Sequence, residues 1–317
     1  MKHALGVDIG GTKISMVLGN EHGKILAQKI IPTLTGGKTS ESVRAMTQAL
    51  GQMKKEFKGR LSGVGIGIPG PVDSASGIVP RSPNLSGWQG LQLRKILQKN
   101  LGLPVRMGND ANAAALGEKI FGQGRGLKNF IYVTVSTGIG GGIVSEGKLL
   151  EGVSYVAGEV GHMKLVPQGE LCKCGGRGCF EAYASGTAIA RMAGEEYRKR
   201  GKSAALRKLA GGEPLAAWHV GLAARGGDKI ALEVYKKAGA YLGTGLANLL
   251  NILNPEMIIL GGGVWNSAPP EFWKTMLRTC SRDAWPQAMK AVKIVRSNLK
   301  GHAGDLGALA LGFETCA

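Results

Sequence analysis

The stretch A-L-G-V-D-I-G-G-T-K-I-S-M-V-L, residues 4–18, decides the fold. Residues 4–8 are a short apolar run that ends on an acid, Asp8; Gly10 and Gly11 follow, and residues 14–18 are a second apolar run. Two such runs around a glycine pair read as strands joined by a tight turn, and the apolar run 25–31 adds a third strand. A glycine turn at a strand end leaves backbone N–H groups unpaired and lets a phosphate approach closely. Asp8, with Thr12 and Lys13 just beyond it, is placed to hold Mg²⁺ directly or through water. The plainer alternative is an aspartate that bonds its own turn.

Outward from this hairpin, Val43, Met46, Leu50, Met53 and Phe57 recur at helical spacing, and Gly59 can end that helix. Residues 63–68 alternate glycine with Val64, Ile66 and Ile68 as a buried strand, and 69–73 form a turn. Residues 91–101 read as helix and 105–107 as a short strand. Asn109 and Asp110 then cap an alanine-rich helix that runs to about residue 121. A β-branched strand at 130–136 runs into T-G-I-G-G-G, residues 137–142. Gly138-Ile139-Gly140-Gly141 lies 130 residues after Asp8-Ile9-Gly10-Gly11, which suggests one α/β unit used twice. The rest is mainly helical, with a long apolar helix at 235–253 stopped at Asn254-Pro255, strands at 257–260 and 292–295, and a last helix at 305–315 expected to pack back onto the first unit. A third glycine turn, residues 261–263, follows the strand at 257–260. None of the three turns has the Walker A or dinucleotide spacing.

The chain has 317 residues, 44% of them hydrophobic, which is enough for two ordinary domains. No apolar run is long enough to cross a bilayer, and no signal-peptide pattern opens the chain, so a cytoplasmic protein is expected. A formal charge of +18 fits either a polyanionic partner or a solvated basic surface. The densest basic stretch, 198–208, reads as an exposed helix and its end. It lacks the interleaved aromatics of a single-strand binding surface.

Three of the five cysteines fall in C-K-C-G-G-R-G-C: Cys172, Cys174 and Cys179. His162 lies ten residues upstream in G-E-V-G-H-M. Three sulfurs and an imidazole are the ligand set of a closed, structural zinc site with no position left for a catalytic water. Cys280 and Cys316 stand apart as ordinary thiols. Glu159 and Glu181 flank the cluster and can accept several hydroxyl hydrogen bonds. A paired acid and base for glycoside hydrolysis is the alternative, but it leaves three phosphate-type turns unexplained.

Together, D-I-G-G-T-K (8–13), G-I-P-G-P-V-D (67–73), P-N-L (83–85), N-D-A-N-A-A-A (109–115), S-T-G-I-G-G-G (136–142), G-E-V-G-H with C-x-C-G-x-x-G-C-x-E, and L-G-G-G-V (260–264) resemble the ROK family of bacterial sugar kinases, in that family's order. Within it the likeness is to the glucokinases, through E-V-G-H-M and C-F-E-A-Y-A-S-G (179–186). The resemblance implies the two-domain α/β fold of the hexokinase, actin and Hsp70 group (ribonuclease H-like), with sugar and ATP meeting in a cleft. The small domain is expected at 1–113 plus 300–317 and the large one at 114–299.

By resemblance, Asp110 is the catalytic base that takes the proton of the sugar 6-hydroxyl. Gly70, Asn84, Asn109, Asp110, Glu159, His162 and Glu181 fall on sugar-binding positions. His162, Cys172, Cys174 and Cys179 fall on the zinc ligands. Asp8, Gly10, Gly11, Thr12, Lys13, Thr137 and Gly138 belong to phosphate and Mg²⁺ contacts, and Gly262 lies where the nucleoside packs. Ser136 departs from the glycine that many relatives have there. The implied reaction is ATP-dependent phosphorylation of a hexose, glucose first, by a homodimer. Mannose, fructose, N-acetylglucosamine or N-acetylmannosamine are alternative acceptors, and polyphosphate is an alternative donor suited to the charge. Some ROK proteins are transcriptional regulators with a helix-turn-helix domain in front. Seven residues before Asp8 leave too little for one, so no specific nucleic-acid partner is expected.

Overall fold

A computed structural model describes residues 1–314 except Ala75, Pro80, Arg81, Pro83, Asn84 and Lys202. The chain runs β1 (His3–Ile9), β2 (Lys13–Asn20), β3 (Ile25–Pro32), α1 (Thr39–Glu56), β4 (Leu61–Ile68), α2 (Leu93–Leu101), β5 (Val105–Asn109) and α3 (Asp110–Phe121). There follow β6 (Phe130–Val135), β7 (Ile139–Ser145), β8 (Lys148–Leu149), α4 (Glu181–Ala184), α5 (Gly186–Arg200), α6 (Ala204–Ala210), α7 (Ala217–Arg225) and α8 (Lys229–Leu253). It ends with β9 (Met257–Gly261), α9 (Pro270–Asp283), α10 (Pro286–Ala291), β10 (Lys293–Arg296) and α11 (Ala303–Phe313). The two sheets have the orders β3-β2-β1-β4-β5 and β10-β9-β6-β7-β8. In each, a central strand passes through a glycine turn into its neighbour, as the sequence offset of 130 residues suggested.

Register places the chemistry in the first sheet. β1 and β2 pair antiparallel with Asp8 opposite Ser15, while β1, β4 and β5 run parallel with Asp8 beside Gly67 and Gly67 beside Gly108. One strand end therefore carries Asp8, and the adjacent one passes through Asn109 into α3. Active groups in open α/β sheets gather at the carboxyl ends of parallel strands. One sheet face is covered by α1 and α2, whose Met46, Leu50, Leu93 and Leu97 pack on Leu5, Val7, Ile66 and Met107. On the other face α11 is buried along its length against β1, β4 and α3. It approaches closely because Gly65 has no side chain: a Cβ there would overlap the Ala308 carbonyl. The last helix thus packs onto the first sheet as expected, although it spans 303–313 rather than 305–315.

Contact density divides the chain into two units: residues 1–132, 142–158 and 297–317, and residues 133–141 with 159–296. Residues 114–132, 142–158 and 297–299, which the sequence reading grouped with a large domain, pack with the first unit. The continuous helix α3 and its contact with α11 hold residues 114–121 there. In the second unit α8 packs on α9, with Gly239 and Gly243 admitting the backbone of Phe272 and Met276. Helix α8 starts at Lys229, ahead of the apolar run, because Asp228 caps it by accepting from the Ala231 N–H at 2.9 Å. The basic stretch 198–208 is the end of α5, a left-handed Gly201 and the start of α6 rather than one helix and its end. Among the described residues, no helix is long and apolar enough to cross a membrane.

Replacing Gly65 by alanine forces α11 off the sheet. Overpacking of this kind costs about 2–3 kcal/mol or more, read as a lower denaturation midpoint in urea. A Gly65→Ala variant as stable as the parent would contradict the packing.

Candidate active site and metal centre

The first unit carries the phosphate hairpin and the candidate base. The Gly10 N–H donates to the Lys13 carbonyl at 2.9 Å, closing the turn, and Thr33 braces it by donating from Oγ1 to the Gly10 carbonyl at 2.7 Å. Gly11, Thr12 and Lys13 are exposed at its tip. Asn109 is the N-cap of α3. Its Oδ1 accepts from the N–H groups of Ala111 and Asn112 at 2.9 and 3.0 Å, and its Nδ2 donates to the Gly70 carbonyl at 3.1 Å. Gly70 has φ 102°, a conformation open to glycine. One side chain therefore starts the helix and fixes the G-I-P-G-P turn.

Asp110 opens α3, with Oδ1 accepting from the Ala111 N–H at 2.8 Å. Asn84 lies outside the described residues, as does Cys316.

Asp8 sits in a crowded field of negative charge. Burial pushes its carboxyl from 3.8 up to about 7, the charges of Asp110 and Asp305 add to the rise, and Lys13 opposes it. Gly304, in the first turn of α11, makes room for this carboxylate; a Cβ there would overlap it. The sequence reading missed Asp305. Its Oδ2 accepts from Gln28 and meets His302 Nδ1, each at 3.0 Å, while Oδ1 is buried without a partner. An oxygen donor in a negative field is the setting that Mg²⁺ suits, so the residues fit the ion that the sequence assigned to Asp8.

In the second unit, the turn after β6 is tied down on both sides. Ser136 N–H donates to the Gly138 carbonyl at 2.9 Å, and Thr187 donates from Oγ1 to the Thr137 carbonyl at 2.8 Å. Thr187 is a second residue that sequence reasoning missed. Gly262, with φ 98°, lies against the end of β6, where a Cβ would overlap the Val135 carbonyl. The second and third glycine turns are thus neighbours.

Glu181 reaches the same turn. Its Oε2 accepts from the Ile139 N–H at 2.9 Å, and a Cβ on Gly138 would overlap that oxygen. Its Oε1 lies 3.8 Å from Cys172 Sγ.

The metal loop is assembled as the spacing requires. The ligand atoms of His162, Cys172, Cys174 and Cys179 all lie within 4.8 Å of one another. Cys172 Sγ is 3.8 Å from His162 Nδ1, and Cys174 and Cys179 sulfurs are 3.7 Å apart. Tetrahedral zinc with bonds of about 2.0–2.3 Å separates its ligands by roughly 3.5–3.8 Å, so the four residues fit zinc. Gly175 and Gly178, at φ 89° and 75°, turn the loop back on itself. Burial pushes the Cys172 thiol up to about 12, so a bound cation is what would keep it ionised. The imidazole is used twice: Nδ1 faces the sulfurs, and Nε2 faces Glu159 Oε2 at 3.8 Å. Burial holds Glu159 above the usual carboxylate range; His162 pulls it back and the Glu181 charge adds to the rise. Cys280 is a buried thiol of α9.

The chain matches the ROK family over residues 4–314. It belongs to that family. A glucokinase of Thermotoga maritima is 40% identical over 309 residues, which cover 97% of this chain and 96% of the relative. A xylose repressor of Caldicellulosiruptor bescii is 32% identical over 311 residues, 97% of this chain and 77% of the repressor. Among solved structures, a ROK family glucokinase from Streptomyces griseus in complex with glucose and AMPPNP aligns with a TM-score of 0.85 at 35% identity, covering 98% of each chain. The α/β architecture with two sheets is that of the actin-like ATPases.

The raised Asp8 carboxyl has a measurable sign. Between 3.8 and about 7 the folded chain holds a proton that the unfolded chain has released, so stability from this group is full below 3.8 and lost as pH rises to about 7. Asn at this position does not titrate. The unfolding free energy of Asp8→Asn relative to the parent should therefore rise between pH 4 and pH 8 by on the order of a few kcal/mol, read as a higher relative Tm at pH 8. An equal Tm difference at both pH values would refute the shift.

Proposed function

We propose that this protein is an ATP-dependent glucokinase with Asp110 as its general base. The observation that carries the reading is 40% identity to a glucokinase along 97% of the chain, on a scaffold where Asp110 heads α3, Glu159 Oε2 lies 3.8 Å from His162 Nε2 and Glu181 Oε1 lies 3.8 Å from Cys172 Sγ. Phosphoryl transfer asks for a positioned hydroxyl, a proton acceptor and offset of charge on the moving group. The Asp110 carboxylate accepts the proton of the glucose 6-hydroxyl; that oxygen bonds to the γ-phosphorus as the bond to ADP breaks, and the proton then passes to solvent. Asp8 would hold Mg²⁺, which when bound would neutralise phosphate charge. The N–H groups of the Gly10-Gly11 and Thr137-Gly138 turns orient the phosphates, with Lys13 adding positive charge, and Gly262 offers the nucleoside a flat backbone.

Asn109 holds Asp110 and Gly70 in register, so it orients the base as well as the sugar. Asn84 keeps its sugar-binding assignment from the family motif. Glu159, the Nε2 side of His162 and Glu181 present hydrogen-bonding groups to the sugar hydroxyls. The zinc held by His162, Cys172, Cys174 and Cys179 is structural and keeps those groups in place. A homodimer is the assembly that fits the family. The repressor relatives share this scaffold, and turnover separates the two readings.

Asp110→Asn should cut kcat at least a thousandfold and leave the glucose Kd within about threefold. A variant within tenfold of the parental kcat would remove Asp110 from the mechanism. Run on the parent with a panel of hexoses, and with ATP against polyphosphate, the same assay should give its highest kcat/KM for glucose and ATP; a preference for polyphosphate would give the +18 charge a role as a donor track.

Cys174→Ala, which removes one metal ligand, should raise the glucose KM about tenfold or more and lower Tm. A normal KM in protein shown to lack zinc would refute the bracing role.

A further inference from the structure

Lys164 takes no part in the reading above, yet it points into the metal loop. Its Nζ donates to Cys179 Sγ at 2.8 Å, and it lies within electrostatic reach of Cys172 and Cys174 as well. Its backbone is bridged to that of Cys179, which fixes the approach. The loop also leaves room for the ammonium: a Cβ on Gly176 would stand 2.6 Å from Lys164 Nζ. Both observations place a cation against the sulfur of the buried Cys179.

The charges give this contact its meaning. Zn²⁺ bound by three thiolates and a neutral imidazole carries one excess negative charge. Two carboxylates deepen the negative field: Glu181, whose Oε1 is 3.8 Å from Cys172 Sγ, and Glu159, whose Oε2 is 3.8 Å from His162 Nε2. An ammonium that donates to one thiolate offsets the excess charge, makes that sulfur less nucleophilic toward oxidants, and slows its departure from the metal. Lysine pairs at a protein surface contribute little when both partners are solvated. Here the acceptor sulfur is fully buried, so water does not replace the donor on that side.

Resting on the metal-centre reading, we propose that Lys164 is the charge-balancing positioning residue of the zinc loop.

The test is zinc release from the full-length protein. Parent, Lys164→Met, Lys164→Arg and Gly176→Ala are loaded with zinc, the metal content is measured, and each is challenged with a chromogenic chelator. Loss of outer partners of a metal ligand typically costs 10–100-fold in affinity. Lys164→Met should therefore release zinc about tenfold faster or more, and its thiols should react sooner with a disulfide reagent.

Gly176→Ala keeps every ligand and Lys164 itself and displaces only the flexible ammonium end, so its shift should have the same sign and be smaller than that of Lys164→Met. Lys164→Arg should stay close to the parent. Release from both Lys164→Met and Gly176→Ala within twofold of the parent would overturn the assignment while leaving the metal centre standing. A parent that takes up no zinc would overturn both together.

Discussion

The second unit depends on one carboxylate. Glu181 opens α4 directly after the metal loop, and its two oxygens face different neighbours: Oε2 accepts the Ile139 N–H at 2.9 Å, and Oε1 lies 3.8 Å from Cys172 Sγ. The phosphate turn, the metal loop and the first helix beyond it thus meet on a single side chain. Gly138 completes the constraint, because any side chain there would occupy the position of Oε2. A half-buried carboxylate with a fixed N–H partner is held in one orientation, as its proposed sugar contact would require. The metal loop accordingly bears on the turn at Thr137 as well as on its own ligands. A loop that relaxed would free Glu181, and a freed Glu181 would release the Ile139 amide and loosen the turn at Thr137.

The first unit is organised by charge rather than by a tether. Asp8, Asp110 and Asp305 act on one another across the ends of β1, β5 and α11, and Lys13 is the cation that opposes them at Asp8. Such an arrangement is costly in isolation, since like charges raise one another's proton affinity. A cation held at Asp8, as proposed for Mg²⁺, would relieve that repulsion. Asn109 works in this setting by geometry alone, holding the start of α3 and the Gly70 carbonyl with the three hydrogen bonds of one amide.

What could be read from the sequence was local. The hairpin around Gly10-Gly11, the cap at Asn109 and the C-x-C-G-x-x-G-C loop each carry their signal within a dozen residues. Turn chemistry, capping and ligand spacing operate at that range. What could not be read was the contact made across distance. Ile139 and Glu181 are 42 residues apart, and Gln28 and Asp305 are 277 apart. No periodicity announces either pairing. Asp305 in G-H-A-G-D-L-G looks like any acid in a first helical turn; only register and the absence of a side chain at Gly304 bring it to Asp8. The early start of α8 at Lys229 was signalled by Asp228 as a cap, but the apolar stripe on which the boundary was judged begins later.

The imidazole of His162 faces the sulfurs with one nitrogen and Glu159 with the other, which is how the proposed metal site and sugar contacts would be joined in so short a loop. Its two nitrogens lie on opposite edges of one rigid ring, so fixing Nδ1 against three sulfurs also fixes the direction of Nε2. A ligand that contacted the metal through a flexible chain would not transmit that orientation. Glu159 then faces a nitrogen whose position is set by the metal ligands, 3.8 Å away, and takes its own place from it. The order of dependence runs from the sulfurs to the ring, from the ring to Glu159, and separately from Cys172 to Glu181 and the phosphate turn. Charge at the sulfurs consequently bears on groups that never touch them. For that reason a lysine with no place in the family motif, donating to Cys179 at 2.8 Å, stands at the head of both branches.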